Sequence, residues 1–346
     1  MPELARDFGL LCGTLEPGAF NTITDVPGVS VGHCTVNAGD VHTGVTAVIP
    51  QPGNLFRQKI VAAAEVINGF GKSVGLMQVN ELGTLETPIL LTNTFGVSAC
   101  ATALIRRAIE ENPDIGRTTG TVNPVVMECN DGWLSDIQSM AITEDHASEA
   151  LLRASSAPVV QGNVGAGNGM SCFGFKGGIG NSSRQIKLDG QVFHLGVLVQ
   201  ANFGRAGDLV LPDGRRAVPD SIKEPERGSV IIILATDIPL DHRQLRRVAR
   251  RSGAGLARLG SFWGNGSGDI ALAFSTANRI RHDEKREIIS AEVLNEACID
   301  ILFQAAAEGT QEAVLNAMCA AEPMTGRGKN HRPSLAEWLL NNGAEK

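Results

Sequence analysis

The dipeptide Gly228–Ser229 separates two stretches of opposite character. Residues 212–227 (PDGRRAVPDSIKEPER) are polar, highly charged and contain three prolines, which is the composition of an exposed loop or linker. Residues 229–235 (SVIIILA) form the most apolar predicted strand of the chain. Two interpretations follow from this pattern: a surface loop that leads into a core strand, or a junction at which the chain cuts itself.

A serine at such a junction has a defined chemistry. The Ser229 hydroxyl can attack the carbonyl carbon of Gly228 and convert the amide into an ester, which water then hydrolyses. Glycine has no side chain to obstruct the attack and tolerates a strained backbone. The new chain would begin with Ser229 and carry a hydroxyl and an α-amine on one residue. Because the pKa of an α-amine is about 7.7 to 8.0, a modest decrease leaves it neutral and able to act as the base for the hydroxyl.

A second group of reactive side chains lies downstream. Ser267 and Asp269 belong to a glycine-rich turn at residues 260–269 (GSFWGNGSGD) that leads into a predicted strand. Two residues apart in an extended segment, their side chains point the same way. A hydroxyl and a carboxylate on one face could orient or polarise a nucleophile. The alternative is an ordinary turn in which Asp269 bonds to the local backbone.

A third candidate is Glu128, in the stretch 127–136 (MECNDGWLSD). It ends an otherwise apolar predicted strand, where an unpaired carboxylate is costly. The ammonium group of a substrate would be a suitable partner for it. An internal arginine would serve equally well, and both alternatives stay open.

Other catalytic signatures are weak or missing. The glycine-rich segments 162–170 (GNVGAGNGM) and 177–181 could present backbone N–H groups to an oxyanion, although the first is more typical of a packing loop and lacks the dinucleotide-binding spacing. The seven histidines are isolated and the seven scattered cysteines form no CxxC pair, so we expect no metal, no disulfide framework and no cofactor. GxSxG, SxxK and Walker motifs are absent from the sequence.

Short apolar runs alternate with longer amphipathic stretches, which predicts an α/β fold. The predicted strands are residues 44–50, 87–92, 123–127, 193–200, 229–235 and 269–274, most of them apolar on both faces. The predicted helices are residues 97–111, 145–155, 241–259 and 290–318, with Asp241 and Ser290 as N-caps. Because buried strands with helices on both sides form layers, the sequence predicts a layered sandwich.

The overall charge and composition limit the partners. A net charge of −7 argues against a nucleic-acid partner, which needs a clustered basic face. The arginines at 243–251 have helical spacing and are interpreted as a solvated helix face. The first residues lack the pattern of a signal peptide, and the longest aliphatic run is too short to span a membrane. We therefore expect a cytoplasmic protein without a membrane partner.

Several motifs, in a fixed order along nearly the whole chain, carry a resemblance to a known family. They lie at residues 25–33 (DVPGVSVGH), 67–71 (INGFG), 86–94 (ETPILLTNT), 128–132 (ECNDG), 199–204 (VQANFG), 228–240 (GSVIIILATDIPL), 265–276 (NGSGDIALAFST) and 312–328 (EAVLNAMCAAEPMTGRG). Together they resemble the L-aminopeptidase/D-Ala-esterase/amidase family, which includes the β-aminopeptidases.

The resemblance implies an architecture and a maturation step. It predicts a single αββα four-layer sandwich of the N-terminal-nucleophile type, made as a zymogen and cleaved before the nucleophilic serine. The products would be an α polypeptide of residues 1–228 and a β polypeptide of residues 229–346, which stay together. Members of the family are usually homotetramers, and the same assembly is expected here.

The resemblance also implies roles for individual residues. Ser229 corresponds to the nucleophile, Ser267 to a second serine that assists it, and Asp269 to an acidic residue that is often glutamate. Glu128 matches the carboxylate that receives the free amino group of the substrate. Asn202 matches the asparagine that helps to hold the oxyanion.

The implied activity is that of a self-processing serine aminopeptidase or amidase. It would release N-terminal residues from small peptides, amides or esters through an acyl-enzyme on Ser229. Asn130 occupies a substrate-binding position where some members have tyrosine, and this chain contains no tyrosine, so the preference for L-, D- or β-residues stays open. Two alternatives are an acyltransferase of the same superfamily, which uses threonine at the junction, and a non-catalytic binding protein that cleaves itself.

Overall fold

The computed structural model describes residues 2–219 and 228–342. Of the predicted linker, residues 212–219 are described; in this part Asp213, Arg216 and Val218 are exposed, whereas Ala217 is buried. The remainder of the linker, residues 220–227, lies outside the described residues.

Strands and helices alternate along the chain, which confirms the predicted mixed α/β class. The strands are β1 (Ser30–Ala38), β2 (Val41–Ile49), β3 (Gln58–Gly69), β4 (Thr84–Leu85), β5 (Ile89–Asn93), β6 (Val125–Cys129), β7 (Ser171–Cys172), β8 (Phe175–Lys176), β9 (Gly178–Leu188), β10 (Gln191–Asn202), β11 (Gly228–Thr236), β12 (Ser267–Arg281), β13 (Met324–Thr325) and β14 (His331–Arg332). The helices are α1 (Leu76–Leu82), α2 (Val97–Glu111), α3 (Glu144–Leu152), α4 (His242–Arg258), α5 (Asp300–Cys319) and α6 (Leu335–Asn341).

Two sheets form the body of the fold. A four-stranded sheet has the order β1-β2-β5-β6, and a six-stranded sheet has the order β4-β3-β12-β11-β10-β9. In the larger sheet β11 is antiparallel to β10 and parallel to β12. The first residues of β11 therefore lie beside the last residues of β10 and the first residues of β12.

Alternate residues of β11 pack in opposite directions. Ile231 and Ile233 belong to an apolar cluster that also contains Met127 of β6, in the other sheet. Val230 and Ile232 belong to a cluster with residues of α4 and α5. A third cluster joins the four-stranded sheet to α2 and α3. A strand covered on both sides requires apolar residues at successive positions, and burial of each Val or Ile contributes about 1.5 to 3 kcal/mol.

Several predicted helix boundaries are correct. The Asp241 side chain accepts a hydrogen bond from Gln244 N at 2.6 Å and caps α4. Helix α2 has the predicted bounds and ends before Pro113. Helix α3 ends at Leu152, before the predicted boundary. In the described part of the chain, no helix is long and apolar enough to cross a membrane.

The predicted helix 290–318 is wrong in its first part. Helix α5 begins at Asp300, so Ser290 is not an N-cap. The backbone of Glu292 pairs instead with the side chain of Asn278, which donates from Nδ2 to its carbonyl oxygen at 2.8 Å and accepts at Oδ1 from its N–H at 3.2 Å. Tertiary hydrogen bonds override the local helical pattern here.

Strand β9 has no apolar signature in the sequence. Its residues 181–184 (NSSR) are polar and fully buried. Ser182 Oγ donates to the Gly309 carbonyl at 2.7 Å, and Arg184 Nη2 donates to Glu312 Oε2 at 2.7 Å. Because helix α5 supplies polar partners, the strand is buried without being apolar. Residues 178–181 of the glycine-rich segment 177–181 form the start of this buried strand, so the segment is not an oxyanion loop.

The arginine cluster of α4 lies at the surface, as interpreted from its spacing. Arg246 and Arg250 both form ion pairs with Glu65, and their own side chains are more than half exposed. Arg243 pairs with Glu296. These contacts pair the three arginines with carboxylates of the same chain.

Candidate active site

A cavity of about 740 Å³ lies where strands of both sheets end. The six-stranded sheet contributes Asn202 from the end of β10, and Gly228 and Ser229 from the start of β11. The four-stranded sheet contributes Glu128 from β6. The size is typical of a small-molecule site, for which about 300 to 1,000 Å³ is usual. The fold thus brings together candidates that are distant in the sequence.

Ser229 is the second residue of β11 and is 3% exposed. In the sheet it lies opposite Asn202 of β10 and beside Gly268 of β12. Its Oγ is buried and has no nitrogen or oxygen partner within residues 2–219 and 228–342; the weakly polar Cys129 thiol is its neighbour. Such a hydroxyl is rare in folded proteins and needs an explanation, of which a catalytic role is one.

Gly228 is a glycine for reasons of space. A Cβ at this position would lie 2.2 Å from the carbonyl oxygen of Asn202 and 2.8 Å from Phe203 Cα. Backbone atoms of a neighbouring strand cannot move aside without disrupting the sheet, so a larger residue would push β10 away from β11. The structure therefore adds a packing requirement to the chemical reason for glycine at the junction.

The side-chain amide of Asn202 is held on both sides. Its Oδ1 accepts from Ser171 N at 2.9 Å, and its Nδ2 donates to the Asn130 carbonyl at 2.9 Å. Because the carboxamide nitrogen carries two N–H groups, one remains for another acceptor. Directly opposite residues of an antiparallel pair share a face, so this amide and the Ser229 hydroxyl lie on the same side of the sheet.

Ser267 and Asp269 are both fully buried at the start of β12. Ser267 Oγ donates to Asp269 Oδ1 at 2.8 Å. The prediction that these side chains share one face of a strand is confirmed.

The Ser267–Asp269 pair lies on the other face of the sheet from the Ser229 side chain. Ser229 is in register with Gly268, and side chains alternate along a strand, so the two neighbours of Gly268 point the opposite way. In agreement, neither Ser267 nor Asp269 is among the described residues that line the cavity. Since Gly228 is in register with Ser267, the pair lies beside the backbone of the junction.

Glu128 is 3% exposed and lines the cavity. Its Oε1 accepts from Lys72 N at 2.8 Å, and its Oε2 accepts from the Thr94 hydroxyl. Among the described residues no arginine forms an ion pair with it, so the internal-arginine alternative is not supported. A carboxylate has room for about four hydrogen bonds, so the two present leave capacity for an ammonium group.

Asn130 and Cys129 follow Glu128 directly. Asn130 is exposed and lines the cavity, and its Oδ1 accepts from Gly132 N at 2.8 Å. Cys129 is buried, and its thiol lies 3.4 Å from the Ser229 carbonyl oxygen. Burial raises the pKa of this thiol well above its usual value, so it stays protonated and is not a nucleophile.

Sequence analysis missed several residues that line the cavity. The guanidinium of Arg332 lies 4.5 Å from the centre of the Trp133 ring, and the ammonium of Lys72 lies 4.1 Å from the centre of the Phe70 ring. These residues are far from the junction in the sequence, and of the four Phe70 alone belongs to one of the resembling motifs, 67–71, which could have drawn attention to it.

The glycine-rich segment 162–170 is a packing loop. The backbone N–H groups of Gly165 and Ala166 donate to threonine hydroxyls of β1 and β2 at 2.7 and 3.1 Å. The Gly167 carbonyl accepts from the fully buried ammonium of Lys176 at 3.1 Å, and burial lowers the pKa of Lys176 to about 7. Because these donors already have internal partners, the segment does not serve as an oxyanion loop.

Cysteines and potential metal ligands are dispersed. All the cysteines are free thiols, and only Cys298 is exposed. Burial raises the pKa of Cys12 and of Cys100 to about 12, which makes both thiols unreactive. Over the described ranges, no group of three or more His, Cys, Asp or Glu side chains is arranged to hold a metal ion.

Comparison with known proteins covers almost the whole chain. Residues 21–332 match the model of peptidase family S58. A beta-peptidyl aminopeptidase, BapA, from Sphingosinicella microcystinivorans is 38% identical over 349 residues, which cover 93% of this chain and 87% of the relative.

Solved structures are similar over an equally large part of the chain. A protein of Pyrococcus horikoshii OT3 has a TM-score of 0.91 and 45% identity, with 98% of this chain and 97% of the other covered. The L-aminopeptidase D-Ala-esterase/amidase of Ochrobactrum anthropi, described as a prototype for the serine aminopeptidases and a variant of the Ntn hydrolase fold, has a TM-score of 0.88 and 35% identity, with 98% and 99% covered.

Proposed function

The chain belongs to peptidase family S58, and from this premise we propose that it is a self-processing serine aminopeptidase whose nucleophile is Ser229. The observation that carries the proposal is the Ser229 hydroxyl itself. It is buried without a nitrogen or oxygen partner in the described residues, near the start of the core strand β11. Ser229 also lines a cavity of about 740 Å³.

The first step is maturation. Ser229 Oγ attacks the carbonyl carbon of Gly228, the C–N bond breaks, and the hydroxyl proton is transferred to the departing nitrogen. The resulting ester is hydrolysed by water, which leaves a carboxylate on Gly228 and a free α-amine on Ser229. Glycine at 228 supports this step because it leaves the carbonyl accessible. A side chain at this position would also collide with the backbone of Asn202 and Phe203.

The second step is turnover. Mature Ser229 attacks the carbonyl carbon of the first peptide, amide or ester bond of a small substrate, and its α-amine takes up the hydroxyl proton and delivers it to the leaving group. Water then hydrolyses the acyl-enzyme. The free N–H of Asn202 supports this step because it shares a face with the Ser229 hydroxyl and can donate to the developing oxyanion, a contribution of about 3 to 4 kcal/mol.

The Ser267–Asp269 pair is proposed to act on the α-amine of Ser229. This assignment is supported by its position beside the junction backbone, on the face away from the Ser229 hydroxyl. An amine in hydrogen-bond contact with such a pair would be held in a fixed orientation, with its lone pair available to the hydroxyl. The pair would therefore position the base and would not contact the substrate.

Glu128 is proposed to bind the amino group of the substrate. Its carboxylate is buried at the cavity wall, and the partners it has among the described residues are neutral donors, the Lys72 N–H and the Thr94 hydroxyl. An ammonium group would compensate the desolvated charge. Asn130, exposed in the same cavity, is proposed to contact the substrate as well. N-terminal β-residues are included in the proposed substrates because a relative is named a beta-peptidyl aminopeptidase.

We further propose a single four-layer αββα domain that is cleaved into residues 1–228 and 229–346 and assembles as a homotetramer. The layering is supported by three apolar clusters, which join α2 and α3 to the four-stranded sheet, the two sheets to each other, and the six-stranded sheet to α4 and α5. The oligomeric state and the cytoplasmic location remain predictions from the sequence.

Substrates with free and blocked amino ends test the proposal. The enzyme should hydrolyse an aminoacyl p-nitroanilide, and acetylation of its amine should lower kcat/KM on the order of 10- to 100-fold because the charged hydrogen bond to Glu128 is lost. Glu128→Gln should reduce this discrimination. Equal turnover of free and acetylated substrates by the wild-type enzyme would rule out an aminopeptidase of this kind.

A further inference from the structure

The segment formed by residues 68–72 contacts both halves of the proposed site. It begins at the end of strand β3, next to a β-bulge. Asp269 of β12 is opposite Asn68, but the next residue of β12 is opposite Val66, so Ile67 has no partner in β12. Such β-bulges redirect side chains and often lie next to active sites. Here the bulge places Asn68 opposite Asp269.

At its first end, the segment holds the turn that precedes β12. The Asn68 Nδ2 donates to the Gly264 carbonyl at 2.8 Å and also to the Ser267 carbonyl. The Phe70 N–H reaches the same Ser267 oxygen at 3.3 Å. These bonds fix the backbone of Ser267, and Ser267 in turn donates to Asp269.

In its middle, the segment passes directly over the neighbour of Ser229. A Cβ on Gly268 would lie 2.5 Å from the Phe70 carbonyl oxygen and 3.2 Å from Gly71 Cα. The Gly71 N–H donates to the Gly69 carbonyl at 2.8 Å, which closes a tight turn. The path of the segment is therefore set by close backbone contact.

At its second end, the segment holds the carboxylate of the other sheet. The Lys72 N–H donates to Glu128 Oε1 at 2.8 Å. A Cβ on Gly71 would lie 3.7 Å from that same oxygen, so the backbone approaches it closely. Three residues, 69–71, separate Asn68, whose side chain binds the Ser267 carbonyl, from Lys72, whose N–H binds the Glu128 carboxylate.

We propose that residues 68–72 are a spacer that fixes the Ser267–Asp269 pair relative to Glu128, with Asn68 as the positioning residue for the pair. This inference rests on the proposed function. The spacer thereby holds the groups proposed to position the α-amine of Ser229 in a fixed place relative to the carboxylate proposed to bind the substrate amine.

The two ends of the spacer have separable effects. Asn68→Ala removes both amide donors to the 264–267 turn but leaves the hydrogen bonds of Glu128 to Lys72 and Thr94. The Ser267–Asp269 pair then loses its fixed position, whereas binding of the substrate amine is preserved. We expect kcat to fall by up to about 100-fold, the effect of a misplacement near 1 Å. KM should stay nearly constant.

Kinetics and melting curves of three variants test the inference, with an aminoacyl p-nitroanilide as the probe. Asn68→Ser retains one hydroxyl donor and should have intermediate kcat. Asn278→Ala is a matched control because Asn278, like Asn68, donates from Nδ2 to a backbone carbonyl, at 2.8 Å, but lies at the end of β12 opposite to Ser267 and Asp269. The control should keep wild-type kcat and KM.

The test compares the change in kcat with the change in KM for each variant. A fall in kcat with constant KM, an unchanged melting temperature and partial recovery in Asn68→Ser supports the inference. Wild-type kcat in Asn68→Ala, a rise in KM alone, or a loss proportional to unfolded protein overturns it. If Ser229→Ala also retains turnover, the proposed function has failed; if only Asn68→Ala does, the spacer alone has failed.

Discussion

Two buried polar clusters of this protein differ in whether their central atom has partners. In the ion cluster, defined by Arg6, Asn21, Arg184 and Glu312, both carboxylate oxygens of Glu312 accept hydrogen bonds, at 2.6 to 2.9 Å, from the other three side chains. Burial raises the pKa of Glu312, but the hydrogen bonds from Arg6 and Asn21 and the charge of Arg184 outweigh it and lower the pKa overall.

The nucleophile cluster, defined by Asn202, Ser229, Ser267 and Asp269, has the opposite arrangement. The supporting atoms are bonded to each other or to backbone, whereas the Ser229 hydroxyl has no nitrogen or oxygen partner in the described chain. The ion cluster ties the N-terminal segment to β9 and α5. The difference indicates that the ion cluster stabilises the fold. The Ser229 hydroxyl is one of several buried polar atoms without a hydrogen-bond partner in the described residues, and its place in the wall of the cavity favours a role in chemistry.

The largest effect is expected at the unsatisfied atom. Ser229→Ala should lower turnover of an aminoacyl p-nitroanilide by about 10⁶-fold, the loss found when a serine nucleophile is removed. The variant should still fold, because the hydroxyl that it removes has no nitrogen or oxygen partner in the described residues. Ser252→Ala, which alters a buried serine of α4, should leave turnover unchanged. Turnover by Ser229→Ala near the wild-type rate would contradict the assignment.

The satisfied cluster should show the reverse behaviour. Glu312→Gln should lower the free energy of unfolding by up to about 3 to 5 kcal/mol, because it removes the carboxylate that pairs with Arg6 and the nearer of the two that pair with the buried Arg184; the other, Glu308, is at 3.5 Å. The comparison is best made in the Ser229→Ala background, so that both proteins are uncleaved. With Ser229 intact, the folded Glu312→Gln enzyme should keep its kcat. If Glu312→Gln lowered kcat without lowering the free energy of unfolding, the ion cluster would not have the purely stabilising role assigned to it.

The Asn202 amide has hydrogen-bond partners, as the ion cluster does, and also a free N–H in the cavity. In one variant, Asn202→Asp, we expect a change in kcat alone. Asn202→Asp can still accept from the Ser171 N–H but has no N–H for an oxyanion. We expect kcat to fall by about 10²- to 10³-fold, as for loss of an oxyanion donor. Asn202→Ala should be equally slow. If Asn202→Asp retained wild-type kcat, the amide would have only a structural role.

The pH dependence of the ion cluster is the smallest effect. Because the folded pKa of Glu312 is lowered, its stabilising contribution is complete above the unfolded value of about 4.3 and is lost as the pH falls through the folded value. The difference in free energy of unfolding between the parent and Glu312→Gln should therefore narrow in acid. Denaturant titrations at neutral and acidic pH check this, and a difference that widened would contradict it.

The sequence predicted those parts of the site that depend on local geometry. The spacing of Ser267 and Asp269 was enough to place both side chains on one face of a strand. The polarity change at Gly228 and Ser229 was enough to locate the start of a buried strand. Asp241 was recognisable as a cap because its bond to Gln244 N is local.

The parts that failed depend on long-range partners. The buried polar residues of β9 are stabilised by α5, more than a hundred residues away, so no local pattern identified the strand. Residues 290–295 are not helical because Asn278 holds Glu292, and residues 296–298 form only a short 3₁₀ helix before α5. The face on which Ser267 and Asp269 lie relative to Ser229 follows from the register of β11 and β12, which the sequence does not specify.

Intact-mass spectrometry of the purified wild-type protein and of Ser229→Ala, measured side by side, tests the central claim most directly. We expect two polypeptides for the wild type, one of which begins at Ser229, and a single full-length chain for the variant. A Ser229→Ala protein that is cut at the same bond would contradict it.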